Sequence, residues 1–296
     1  MTRNRTFAVT NQKGGVGKTT SAINLCASLA ATKRRVLLVD LDSQGNATMG
    51  SGVNKYELEL SAYDVLTDMR PISEVIQTSP DGGYDLVPGN SDLTAAEVEL
   101  LDLENREFRL SYALTKVQDD YDYIIIDCPP SLNMLTVNAL VAAHGVLIPV
   151  QCEYFALEGL SGLLATIERV KLNLNSDLRI EGILRTMYDP RNSLTRDVSQ
   201  QLLQHFEEKV YRTVIPRNVR VAEAPSFGQP VLSYDRQSKG ALAYLAMAGE
   251  MLRRHEQEDA QAEQALAAKV RDTATQADTD TRQEHSLIDE SAGAPR

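Results

Sequence analysis

Residues 7–30 read FAVTNQKGGVGKTTSAINLCASLA, and this stretch decides the fold. A short apolar run is followed by a glycine-rich turn and then by a segment with helical periodicity. In that segment the apolar side chains recur at the spacing of one helix face: Ala22, Ile23, Cys26, Leu29 and Ala30. The order of strand, glycine loop and helix places backbone N–H groups and a positive helix terminus where they can bind phosphate.

The glycine loop supplies the side chains that a nucleotide phosphate needs. Lys18 would hold the β and γ phosphates, and the Thr19 hydroxyl would ligate Mg²⁺. The general pattern G-x-x-x-x-G-K-[ST] is not met strictly, because Gln12 takes the place of its first glycine and an additional lysine follows. The alternative, a glycine-rich turn that binds no nucleotide, is disfavoured by eight ordered residues between a strand and a helix. The predicted nucleotide-binding residues are Lys13, Gly14, Gly15, Val16, Gly17, Lys18, Thr19 and Thr20.

Further strand-like apolar runs alternate with segments of helical periodicity or turn signals. They lie at residues 36–40, 123–127, 146–150 and 180–187. This alternation predicts an α/β fold with a mainly parallel, twisted sheet and helices on both faces, as in P-loop NTPases.

Three aspartates lie at or just after the ends of two of these strands. Asp127 and Asp40 each end a strand, where a carboxylate beside the glycine loop can orient Mg²⁺ through its water ligands. Asp42 comes two residues later, and the sequence alone does not rank it against Asp40. The alternative for Asp42 is a turn role ahead of residues 43–45.

Composition excludes several classes of protein. With 296 residues and 43% hydrophobic content, the chain can form one large α/β domain with an appendage. No apolar run approaches the roughly 18 residues needed to span a bilayer, and no signal peptide is apparent, so we expect a cytoplasmic protein. The three cysteines are widely separated and form no C-x-x-C, which predicts reduced core residues: Cys26, Cys128 and Cys152.

The net charge of −11 is unevenly distributed. Residues 1–178 hold 14 basic and 23 acidic groups, residues 179–254 hold 12 and 8, and residues 255–296 hold 4 and 10. A local basic face on an acidic protein is therefore possible, and a scatter of solvated arginines is the alternative. Residues 255–296 are rich in small and acidic residues, so we predict a domain over residues 1–254 and a disordered or loosely helical acidic tail after it.

Several segments together resemble the ParA/MinD family of ATPases with a deviant Walker A motif, in its chromosomal ParA (Soj) branch. The loop KGGVGKTT is similar to that motif, and the resemblance covers residues 5–254 with the motifs in family order. The other segments are VLLVDLDSQGNAT at 36–48, YIIIDCPPS at 123–131, PVQCEYFALEG at 149–159 and IPRNVRVAEAP at 215–225.

The resemblance implies roles for individual residues. Asp42 positions or activates the attacking water, and Lys13 reaches across a dimer interface to the partner's phosphates, so that Lys13, Lys18 and Asp42 form the catalytic set. Asp40 supports the magnesium shell together with Thr19 and Asp127. Ser43 replaces the proline usual in this branch, a departure that bears only on the stiffness of the loop.

Two residues near the end of the domain are implied to contact the base. By resemblance, Pro216 and Asn218 flank or hydrogen-bond the adenine of ATP. A proline-containing turn without a ligand is the alternative.

The resemblance also implies a partner and a cycle. An ATP-dependent homodimer would bind double-stranded DNA without sequence preference, and the family's DNA-contacting arginines fall on Arg191 and Arg220. Ordinary surface ion pairs are the alternative for these two residues. A ParB-type centromere-binding protein would stimulate hydrolysis and release the dimer, so we expect a nucleoid-associated protein.

The sequence disfavours three other functions. A MinD-like membrane switch would need a basic amphipathic helix at the C-terminus, whereas residues 262–270 have little hydrophobic bulk and the tail is acidic. A reductase like the nitrogenase iron protein would need paired cysteines for an iron–sulfur cluster, whereas the three cysteines here are widely separated. A DNA-binding scaffold without ATPase activity is disfavoured, because the lysine, threonine and aspartates of the site are all present.

Overall fold

The computed structural model describes the backbone of residues 4–291 and the side chains of residues 4–267. Its strands form one eight-stranded sheet in the order β3-β4-β2-β5-β1-β6-β7-β8. All neighbouring strands are parallel except β3 and β4. The strands are β1 (Arg5–Val9), β2 (Val36–Asp40), β3 (Gln77–Thr78), β4 (Asp85–Val87), β5 (Tyr123–Asp127), β6 (Gly145–Gln151), β7 (Arg179–Tyr188) and β8 (Val210–Pro216).

The α-helices connect these strands. They are α1 (Lys18–Ala31), α2 (Asn46–Gly50), α3 (Ala62–Leu66), α4 (Ile72–Val75), α5 (Leu93–Glu99), α6 (Arg109–Leu114), α7 (Met134–Ala142), α8 (Ala156–Asn173), α9 (Ser193–Phe206), α10 (Val219–Glu223), α11 (Val231–Tyr234) and α12 (Lys239–Ser291).

Both faces of the sheet are buried. In β1, Phe7, Ala8 and Val9 are each 0% exposed although their side chains point alternately to the two faces. Apolar side chains of α1 cover one face, and those of α7 and α8 join the core on the other. The predicted α/β fold with a mainly parallel sheet is confirmed.

The five predicted strands are present, with β2 and β5 at the predicted bounds. Three strands were not predicted, namely β3, β4 and β8. The first two are only two and three residues long. β8 lies at the sheet edge and reads VYRTVIP, so its apolar run is interrupted by residues that an edge strand can expose.

The parallel register brings the carboxyl ends of seven strands to one edge of the sheet. Asp127 of β5 lies opposite Val9 of β1 on one side and opposite Asp40 of β2 on the other. Adjacent strands are about 4.8 Å apart. The loop that follows β1 and the aspartates that end β2 and β5 therefore meet at the same place.

The chain divides into two compact units, residues 1–248 and residues 249–296. The described part of the second unit belongs to α12, and within it Arg254 forms an ion pair with Glu250 at 2.8 Å. The predicted domain boundary at residue 254 and the predicted disordered or loosely helical tail stay predictions.

The cysteines and the helices bear on two further expectations. Cys26, Cys128 and Cys152 are buried and unpaired, as predicted for reduced core residues. Across the part of the chain that the structure describes, no helix combines the length and the apolar character that crossing a membrane requires.

Candidate active site

The glycine loop between β1 and α1 has a backbone that requires glycine. Gly15 and Gly17 have φ angles of 73° and 87°, in the left-handed region that side chains with a Cβ rarely adopt. Gly17 is the N-cap of α1, and Lys18 is its first residue. The loop therefore turns directly into a helix N-terminus, the arrangement that binds phosphate.

Two polar side chains fix the backbone of this loop. The Thr186 hydroxyl of β7 donates to the Val16 carbonyl at 2.8 Å. The Asn11 amide donates to the Pro149 carbonyl at 2.8 Å, and its oxygen accepts from the Lys13 N–H at 3.0 Å. Sequence reasoning missed both residues, because the contacts of Thr186 with Val16 and of Asn11 with Pro149 join segments that are far apart along the chain.

Asp127 is a buried carboxylate at the end of β5. It is 0% exposed, and neither of its oxygens accepts a hydrogen bond of ordinary geometry from the described residues. Burial raises the pKa of Asp127 well above its usual value and the charge of Asp40 raises it further, while Thr19 and Lys18 lower it. An unsatisfied buried carboxylate is costly unless a ligand compensates it. The side chains present therefore fit Mg²⁺ with its water ligands, which would satisfy both oxygens.

Protein side chains alone would not complete the coordination shell of Mg²⁺. Within residues 4–267, no group of three or more acidic, histidine or cysteine side chains is placed to hold a metal ion. Phosphate oxygens and water would thus complete the shell around the Thr19 hydroxyl, as Mg²⁺ prefers.

Asp40 is held differently from Asp127. Its Oδ2 accepts hydrogen bonds from the Thr48 N–H at 2.8 Å and from the Thr48 hydroxyl at 2.7 Å. Its Oδ1 accepts from the Asp42 N–H at 3.1 Å. Burial raises the pKa of Asp40 to about 6, and the bonds from Thr48 oppose that rise. The protein gives both oxygens of Asp40 a hydrogen-bond donor, so this carboxylate fixes the loop after β2, whereas both oxygens of Asp127 remain available to a ligand. The support of the magnesium shell by Asp40 stays a prediction.

Thr48 links three segments and was given no role from the sequence. Its hydroxyl donates to Asp40 and accepts from the Gly89 N–H at 2.8 Å, and the residue is 0% exposed. Only the fold places Gly89 beside this hydroxyl, so no local pattern identifies the contact.

Replacing Thr48 with valine is expected to lower the free energy of unfolding by about 1–3 kcal/mol, because the change removes two buried hydrogen bonds and leaves the Gly89 N–H without this acceptor at nearly constant volume. Chemical denaturation measures the loss. Thr94→Val, at an exposed position of α5, is the matched control and should change stability by less than about 0.5 kcal/mol. Equal stability of the two variants would contradict the linking role of Thr48.

Asp42 is buried and lies at the same edge, with 7% of its surface exposed. Its Oδ1 accepts from the Gln44 N–H at 3.0 Å, and its carbonyl accepts from the Gly45 N–H at 2.8 Å. The side chain thus holds the turn that was the alternative for this residue. Its second oxygen leaves room for the water-positioning role, which stays a prediction.

Lys13 contacts a residue of the same chain. Its ammonium lies 2.8 Å from Oε2 of Glu153, in the segment between β6 and α8, and both side chains are partly exposed. This segment belongs to the motif at 149–159. The role of Lys13 across a dimer interface stays a prediction.

The two predicted base-contacting residues lie on the same side of the fold. Pro216 ends β8 at the carboxyl edge of the sheet, opposite Tyr188 of β7. Asn218 is the N-cap of α10, and its oxygen accepts from the Val221 N–H at 3.2 Å. The Asn218 amide nitrogen therefore remains the group that a base would use, and contact with adenine stays a prediction.

The two predicted DNA-contacting arginines are exposed and paired. Arg191 follows β7 and binds Asp189, and Arg220 lies on α10 and binds Glu223 and Asp235. The surface ion pairs named as the alternative are therefore present. A surface ion pair is weak and is compatible with a second role.

Known proteins are similar to this chain over most of its length. A family model described as an AAA domain (AAA_31) matches residues 4–180. The chain is 53% identical over 245 residues to the sporulation initiation inhibitor protein Soj of Bacillus subtilis, covering 83% of this chain and 97% of that protein. It is 52% identical over 250 residues to the chromosome partitioning protein ParA of Myxococcus xanthus, covering 84% of this chain and 88% of that protein.

A solved structure has the same fold. Cobyrinic acid a,c-diamide synthase from Mycobacterium smegmatis, crystallised with ADP and magnesium, aligns with a TM-score of 0.76 and 41% identity. The alignment covers 86% of this chain and 96% of that one.

Proposed function

Since the chain belongs to the ParA/MinD family of P-loop ATPases, we propose that it is a switch in which ATP drives formation of a sandwich dimer that binds DNA. The chain is a ParA-type partitioning ATPase and uses ATP and Mg²⁺. The observation that carries the proposal is the meeting of the glycine loop, Lys18 and the unsatisfied Asp127 at one sheet edge.

The geometry is compatible with a division of roles in hydrolysis. Phosphoryl transfer needs mainly charge neutralisation and an aligned water. In our proposal Lys18 and the loop N–H groups bind the phosphates, Thr19 and Asp127 hold the magnesium shell, and Asp40 stiffens the loop that carries Asp42. Asp42 orients the water, and Lys13 exchanges Glu153 for the partner's phosphates in the dimer.

The proposed binding surface for the ATP-bound dimer is double-stranded DNA of any sequence. Arg191 and Arg217 lie just beyond the adjoining strands β7 and β8, and Arg220 is the second residue of the next helix, α10. Binding through phosphates alone would be sequence-independent and would weaken steeply with salt. The partitioning relatives, at 52–53% identity, favour this function over the amide synthesis that the name of the structural neighbour denotes.

A ParB-type protein bound to centromere-like sites is the proposed partner. It would stimulate hydrolysis and release the dimer from the nucleoid. The test is the rate of phosphate release with and without such a protein and DNA: a stimulated rate supports the assignment, and an unchanged rate removes the partner from the proposal.

The first test of the function is retention on random-sequence double-stranded DNA with ATP or ADP, with anionic liposomes as a parallel surface. The proposal expects binding to DNA that requires ATP and declines with salt. ATP-dependent binding to the liposomes instead would favour the alternative, a MinD-like membrane-associated ATPase.

Arg220→Glu is expected to weaken ATP-dependent DNA binding by about tenfold or more, because a phosphate contact becomes a repulsion in each protomer of the dimer. The dimer itself should form as in the wild type, which size-exclusion chromatography with ATP measures. Arg70→Glu, at an exposed residue that also pairs with a carboxylate, is the matched control. Equal DNA affinity of the two variants would remove Arg220 from the binding surface.

A further inference from the structure

Arg220 is held by two carboxylates. Its Nη1 lies 3.0 Å from Oε2 of Glu223, one turn further along α10, and its Nε lies 3.4 Å from Oδ2 of Asp235. The hydroxyl of Tyr234 donates to the same Glu223 oxygen at 3.4 Å, and its ring stacks on Phe227. The arginine nonetheless remains 52% exposed, so an external anion can reach it.

Arg191 is held in the same way. Its Nε and Nη2 donate to the two oxygens of Asp189 at 2.9 and 2.8 Å, and 87% of its side chain is exposed. These bonds, with a smaller contribution from the charge of Arg217, lower the pKa of Asp189 to about 2. Asp189 is therefore fully charged at neutral pH and competes with any other anion for Arg191.

The charges around Arg191 and Arg220 affect how strongly these arginines attract DNA. Arg191 and Arg220 with their three carboxylate partners carry a net charge of −1, although residues 179–254 as a whole hold 12 basic and 8 acidic groups. Affinity for DNA comes from neutralising phosphates with an excess of cationic charge. The three carboxylates therefore offset the attraction of these two arginines for DNA phosphates, although each exposed ion pair is itself easily broken.

We propose that Asp189, Glu223 and Asp235 set the DNA affinity of this surface by competing with phosphate for Arg191 and Arg220. Each carboxylate thereby lowers the affinity of the protein for DNA. The proposal rests on the proposed DNA-binding function. It adds that the carboxylates, and not the arginines alone, set how tightly DNA is bound.

A purely structural role for these carboxylates gives the opposite expectation. If Glu223 and Asp235 only clamp α10, their loss should lower stability and leave DNA binding unchanged or weaker. If they compete with phosphate, their loss should tighten DNA binding. The two roles therefore differ in the sign of the effect on DNA affinity.

The test uses the full chain with Glu223→Gln and Asp235→Asn combined. We expect its affinity for random-sequence double-stranded DNA to rise about fivefold to tenfold with ATP, to persist to higher salt, and to become measurable with ADP. Glu223→Asp with Asp235→Glu keeps both charges and should behave as the wild type. Glu74→Gln with Asp68→Asn removes two carboxylates that pair with arginines elsewhere, and should change DNA affinity by less than about twofold.

The outcomes separate the two proposals. Wild-type protein that fails to bind DNA with ATP would overturn the proposed function itself. Wild-type binding that the double variant does not exceed would overturn only the role of the carboxylates. Asp189→Asn acts on Arg191 outside α10, so it provides the same test if the double variant does not fold: tighter binding supports competition, and unchanged binding contradicts it.

Discussion

Lys18→Ala is expected to abolish ATP binding, with a loss of affinity of about 100-fold or more. Lys18 is the first residue of α1 and is only 7% exposed, at the end of a loop whose conformation depends on Gly15 and Gly17. A charged donor to a phosphate contributes about 1.5–3 kcal/mol, and each 1.4 kcal/mol is a factor of ten in affinity. In our assignment Lys18 bonds two phosphates, so its removal should weaken ATP binding by at least two factors of ten.

Isothermal titration calorimetry with ATP and Mg²⁺ measures this effect. Lys116→Ala removes an equal charge at an exposed position and should bind ATP as the wild type does. Thermal unfolding should show both variants folded, since Lys18 forms no part of the apolar core. Normal ATP affinity in Lys18→Ala would overturn the assignment of the loop as the phosphate site.

Asp42→Ala is expected to slow hydrolysis about 100-fold or more while ATP still binds, so that the ATP dimer persists. A group that positions or deprotonates the attacking water commonly contributes that much to the rate. Asp42 is suited to this role because it is almost buried beside the glycine loop and follows the anchored Asp40 by two residues. Phosphate release gives the rate, and size-exclusion chromatography with ATP gives the lifetime of the dimer.

Asp42→Asn separates the two roles of this side chain. Asparagine keeps an oxygen that can accept from the Gln44 N–H, so the turn should be retained while the carboxylate charge is lost. If Asp42 acts on water, the asparagine variant should hydrolyse ATP nearly as slowly as the alanine variant. Wild-type hydrolysis in Asp42→Asn would assign the residue to the turn alone.

Long buried strands were predictable from the sequence, and short or edge strands were not. β2 and β5 are continuous apolar runs because parallel strands are covered on both faces. β8 carries Arg212 and Thr213 within its run, since an edge strand is incompletely covered. β4 is only three residues long and shows its strand character through its pairing with β2.

The candidate site divides in a similar way. Lys18, Thr19 and the loop glycines could be identified because a phosphate site is built from consecutive residues, and the structure gives them the expected strand, loop and helix. Thr48, Thr186 and Asn11 escaped prediction because each acts through a hydrogen bond to a segment that is distant in the sequence. The different environments of Asp40 and Asp127 could not be predicted either, because they depend on hydrogen-bond partners that only the structure shows. Thr48 bonds Asp40, whereas both oxygens of Asp127 remain open to a ligand.

The sequence by itself determined the chemistry that consecutive residues encode. It specified the glycine loop, the carboxylates at strand ends and the family to which their order belongs. Only the tertiary structure decided which charges meet: Asp127 beside Asp40 through strand register, Lys13 with Glu153, and Arg220 between Glu223 and Asp235. The physical reason is that the backbone conformation of a loop depends on adjacent residues, whereas the environment of a charge depends on every segment that the fold packs around it.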